Sequence, residues 1–79
     1  MNLAEIKIAV DAGQVVHWKS RNYTIIRDLL GSYLIAFAHG TRDANYIGLT
    51  WLDGVTMNGN ENEFFMGVTE GYDGKLLTI

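Results

Sequence analysis

Few residues in this 79-residue chain have side chains suited to acid–base or nucleophilic chemistry. They are His17, His39, Ser20 and Ser32, set among nine carboxylates, with no cysteine at all. The missing thiols remove disulfide and thiolate chemistry, including zinc sites built on thiolate. A histidine metal site needs imidazoles that converge with carboxylates, and His17 and His39 stand in neither an HxH nor an HxxxH spacing. His17 is next to Trp18 in a strand-like segment, where an imidazole ordinarily packs or finds a local hydrogen bond. Neither serine occupies a nucleophile elbow. Asn58, Asn60, Glu61, Asn62 and Glu63 gather oxygen ligands in a short span, yet they lack EF-hand spacing and a leading aspartate, which leaves a solvated turn. The stretch from Gly54 to Gly59 lacks the lysine and the following helix of a phosphate loop. These residues predict no enzyme, no metal and no cofactor. The enzymatic alternative requires His17 or His39 to meet a carboxylate in a cleft.

Charge carries more content. The formal net charge is −3, which discourages nucleic-acid binding. The first 50 residues hold five bases against four acids. Residues 51–79 hold Asp53, Glu61, Glu63, Glu70 and Asp73 against Lys75 alone. An acidic end of this kind keeps a small apolar protein in solution, and it also complements a basic surface on a partner. Composition by itself favours the first role. If the second holds, those five carboxylates are the candidate contacts, with Tyr33 and Tyr46 as aromatic anchors on outward strand faces.

The elements that must position these residues follow from local patterns. Apolar residues make up 48% of the chain and charged residues 19%, enough for one small domain spanning 1–79. Asn2 and Glu5 have capping-box spacing, and Leu3, Ile6, Ala9 and Val10 line one face, so a helix is predicted over residues 2–12 with Gly13 ending it. Ile8 falls outside that stripe and predicts cover on a second side. Val15 to Trp18, Tyr23 to Arg27, Tyr33 to Ala38, Tyr46 to Leu52 and Phe64 to Thr69 read as strands, with Leu76 to Ile79 as a final edge. Lys19 to Asn22 is polar and predicts a break. Asp53-Gly54 is a hairpin signal, and Gly31-Ser32 marks a turn, with a helix inserted between Leu29 and Ile35 as the competing reading. Trp18, Phe37 and Trp51 are assigned to the core. The sum is α+β: an N-terminal helix packed on a four- to six-stranded antiparallel meander sheet. Glu5, Lys7 and Asp11 interrupt any signal-peptide core, and the uncharged run Leu29–Thr41 is too short and too polar to span a bilayer. The expected location is the cytoplasm.

Several strings also resemble a known group. Ala12, Gly13, Val15, His17 and Trp18, then Tyr23 and Ile25, then Tyr33-Leu34-Ile35, and above all the string from Ile47 to Gly59 resemble small proteins encoded by phages and prophages. The resemblance covers about two-thirds of the chain and leaves out the tail from Met66 to Ile79. With its size and acidity, the chain looks like an anti-CRISPR protein, similar to inhibitors of type I surveillance complexes, type I-C among them. That resemblance implies a non-enzymatic monomer or small homo-oligomer in the host cytoplasm. It would bind a Cas subunit through acidic residues that take the place of DNA phosphates and block target DNA. It implies no catalytic residue. An accessory or structural phage protein acting through self-association is the alternative.

Overall fold

The structure is a computed structural model that describes residues 1–67. The predicted edge strand Leu76–Ile79 and the candidates Glu70 and Asp73 lie outside the described residues.

Helix α1 runs Leu3–Asp11, and both halves of the capping box form. The Asn2 side chain accepts the Glu5 N–H, and Glu5 Oε1 accepts the Asn2 N–H, each at 2.8 Å. Gly13 then takes φ +81°. Ile6 and Ala9 are buried, but Ile8 is 70% exposed, so among the described residues α1 is covered on one side only. The expected second cover is corrected, because the sheet meets only the Ile6–Ala9 stripe.

Among the described residues five strands form one antiparallel sheet: β1 Val16–Trp18, β2 Ser20–Arg27, β3 Tyr33–Phe37, β4 Asn45–Gly48 and β5 Phe64–Met66. Their spatial order is β4-β3-β2-β1-β5. The first four strands make the expected meander, while β5 returns to pair with β1 at the opposite edge. Among the described residues no helix is long and apolar enough to cross a membrane.

Two local expectations are corrected. The polar stretch Lys19–Asn22 does not break the sheet: the chain reverses at Lys19, which takes φ +62°, and Ser20–Asn22 already belong to β2. The misfit is absorbed by an irregular register, with His17 opposite Thr24 but Trp18 opposite Ser20. Between β2 and β3 there is a turn and no inserted helix. Asp28 Oδ1 accepts the N–H groups of Leu30 and Ser32, which closes the backbone into a tight loop.

On the helix-bearing face, Val16, Ile25, Ile35, Leu49 and Phe64 pack with Ile6 and Ala9 into the buried core. On the opposite face His17, Thr24, Ala36 and Tyr46 stand in one row across the ladders.

Candidate partner-binding surface

Beyond Gly48 the chain leaves the sheet as a loop whose roots are pinned to the sheet and whose tip is braced only within itself. Leu49 is fully buried, its N–H bonds to the Tyr33 carbonyl, and its carbonyl accepts the Asn58 N–H. Thr50 bridges Met57, and the Trp51 N–H reaches the Thr56 carbonyl at 2.7 Å. The Asn58 side chain adds two bonds, donating to the Gly48 carbonyl and accepting from Trp51 Nε1. Within the tip, Asp53 Oδ1 accepts the Val55 and Thr56 N–H groups, and Oδ2 accepts the Thr56 hydroxyl. The tip still exposes Trp51 at 60% and Val55 at 71%, with Leu52 fully exposed.

The Asp28 loop repeats this device. One aspartate locks a turn through two backbone N–H bonds, and Leu29 and Leu30 are left in solvent. The two tips share one end of the molecule, since Gly31, Ser32 and Gly54 line the same recess together with Lys7 and Tyr33. Five large apolar side chains therefore stand exposed on two stiffened loops. Solvation gives no reason for such a grouping, and clustered exposed apolar residues mark contact surfaces.

The Asp53 bonds have an electrostatic consequence. Bonds from the Thr56 hydroxyl, the Thr56 N–H and the Val55 N–H, in that order, hold its carboxyl below the ordinary value of 3.8. A depressed folded value means that this stabilisation is complete above the ordinary aspartate range and is lost as pH falls through the folded value. Amide shifts of Val55 and Thr56 should therefore titrate with a midpoint below 3.8. A midpoint at or above that value would show that the carboxylate does not lock the loop.

Among the described residues the sequence-derived candidates lie on different parts of the molecule. Asp53 lies in the exposed tip. Glu61 is exposed and lines a recess of about 460 Å³ with Val55, Met57 and the start of α1, while its carbonyl accepts the Met1 amino group. Glu63 is engaged inward. Its Oε1 accepts from Asn60 N–H at 3.0 Å and from Trp18 Nε1 at 3.2 Å, and the Asn60 bond leads in lowering its pKa. Tyr33 also braces the fold: its hydroxyl donates to Asp11, which raises its own pKa, and Lys7 and Arg27 flank its ring. Tyr46 is exposed on the opposite sheet face, where its hydroxyl lies 3.2 Å from His39 Nδ1.

Among the described residues the histidines do not converge on a carboxylate. His17 Nδ1 lies 3.0 Å from the Tyr23 carbonyl, with its ring tilted against Phe65. His39 partners Tyr46. Among the described residues no group of three or more histidine or carboxylate side chains is placed to hold a metal ion.

Sequence reasoning missed Trp51, Leu52 and Val55, and it placed Trp51 in the core. The available signal was the Asp53–Thr56 spacing, which suits an aspartate turn, rather than the alternation that carries Trp51 into a strand. No protein-family model, curated protein or solved structure matches this chain.

Proposed function

We propose that this protein is a non-enzymatic inhibitor that binds a protein partner through the end formed by its two aspartate-locked loops. One observation carries this reading: Leu29, Leu30, Trp51, Leu52 and Val55 are all exposed on loops whose backbones are already fixed. Pre-fixed loops lose little conformational entropy on docking, and a central tryptophan is a common interface anchor. Asp53 and Glu61 add negative charge near Val55, which suits an apolar pocket with a basic rim. The phage-type resemblance makes that partner a Cas subunit of a type I surveillance complex in the host cytoplasm, with target DNA excluded.

The test is binding of the purified surveillance complex, read by displacement of target DNA. Wild-type protein is expected to displace DNA, with an affinity that falls as salt is raised. Trp51→Ala with Leu30→Ser should weaken binding about 30-fold or more, the scale of one lost hot spot. Thermal midpoints should fall only slightly, because both side chains are largely exposed and Trp51 gives up one bond, to Asn58. Undiminished binding by that variant would reject this surface, and no displacement by wild-type protein would reject the inhibitor reading.

A second reading rests on the opposite sheet face, where Tyr46 and Phe65 are exposed. Self-association through that face would make the chain an accessory phage protein. A discrete symmetric oligomer in sedimentation, lost in Tyr46→Lys, would favour it.

A further inference from the structure

At the other end of the sheet, α1 leaves part of its own face uncovered. Trp18, Tyr23, Ile35, Phe37, Asn45 and Ile47 line a groove of about 340 Å³, near the lower end of the ~300–1,000 Å³ typical of ligand pockets. Its walls are aromatic and already ordered, with Tyr23 edge-on to Trp18 at 5.0 Å and tilted against Phe37 at 5.1 Å.

Two loops close this end: the β1–β2 reversal at Lys19 and the connection from Ala38 to Ala44. They are joined by the Ala38 N–H bond to the Asn22 carbonyl. These loops and the bulged start of β2 carry Lys19, Arg21 and Arg42 and one acid, Asp43, with Glu63 near Lys19. Lys19 Nζ lies 4.6 Å from the centre of the Trp18 ring. Among the described residues, none of these three cations takes part in an ion pair. Glu63, across Trp18, is already committed to the Asn60 and Trp18 N–H groups.

Beside the groove runs β4, an edge strand. Gly48 turns its carbonyl outward to Asn58, and Tyr46 has the same parity, so the Tyr46 N–H and C=O point away from β3. An extended segment laid along β4 would find those groups on its backbone side, with Asn45 and Ile47 leading into the groove.

We infer that this groove is a second binding site, for an extended acidic peptide segment with a large apolar side chain. The apolar side chain fills the space between Trp18, Phe37 and Ile47, and flanking carboxylates meet Arg21, Arg42 and Lys19. Strand addition at β4 supplies the register. A peptide fits better than a nucleic acid, because the outward N–H and C=O of Tyr46 can pair with a peptide backbone and have no such counterpart along a nucleic-acid strand. The site is separate from the loop end, so it stands or falls independently of the inhibitor reading.

The probe is a short peptide alternating glutamate and leucine, titrated into the labelled protein. It should shift the Trp18 indole, Phe37 and Ile47 signals. A lysine–leucine counterpart should bind about tenfold more weakly or worse. Arg21→Glu with Arg42→Glu should cost a similar factor, and Ile47→Arg should close the groove. Trp51→Ala should leave binding unchanged. Denaturation midpoints check that each variant folds, which its exposed position favours. Equal binding of the basic peptide, shifts confined to the Leu29–Leu30 end, absence of binding, or oligothymidine bound in the groove would each overturn the proposal.

Discussion

Leu49→Ala is expected to destabilise the protein by about 2–5 kcal/mol, the range for truncating a fully buried leucine. Leu49 has no exposed surface and packs with Ile6, Ile25 and Ile35. A domain of this length has total stability of about 4–12 kcal/mol, so the loss takes a large share of it. The loss should also be uneven. Leu49 ties the loop root to Tyr33 and Asn58, so amide exchange at Trp51, Thr56 and Asn58 should accelerate beyond the global change. Urea denaturation and hydrogen exchange measure the two parts. A change below about 1 kcal/mol would mean that the site collapses without leaving a cavity.

Gly59→Ala is the second large effect, and it comes from overpacking. A β-carbon at this position would lie 2.5 Å from Trp18 Nε1, 3.1 Å from Trp18 Cε2 and 3.3 Å from Phe64 Cε1. Trp18 cannot swing aside freely: Nε1 donates to Glu63, and Lys19 stands over its ring. The expected cost is about 1–3 kcal/mol, with a shifted Trp18 indole resonance. Trp18→Phe in the same chain removes the atoms that clash. The double variant should therefore lose less than the sum of the two single changes. Additive losses would place the strain elsewhere.

How much of this was legible in the sequence depended on the reach of each signal. The α1 cap needed only Asn2 and Glu5, three residues apart, and it formed as read. The same spacing recurs at Asn60 and Glu63, where a 3₁₀ turn covers Glu61–Glu63 and Glu63 reaches back to the Asn60 N–H. That second signal was passed over in favour of a solvated turn. Alternation located β3 and the start of β4, but it overran at Trp51. A strand extends only as far as its partner, and β3 begins at Tyr33, opposite Leu49. Beyond that point the neighbouring chain is the Asp28 turn, so no ladder exists to hold Trp51 to the sheet. Two of the described acidic candidates stand apart for a similar reason. Asp53 and Glu63 are close in sequence, but one locks an exposed tip and the other braces Trp18.

The sequence by itself determined the α+β class, the capped helix, the strand-rich remainder and the turn at Asp53-Gly54, because each is written within a few neighbouring residues. Only the tertiary structure decided where strand pairing stops, which helix face is covered and that β5 closes against β1. It also decided that the Leu29–Leu30 and Trp51–Val55 loops share one end, while the segments that carry Lys19, Arg21 and Arg42 lie at the other. Those outcomes depend on contacts between segments far apart in the chain, and no local pattern encodes which distant partner a strand or a loop will meet.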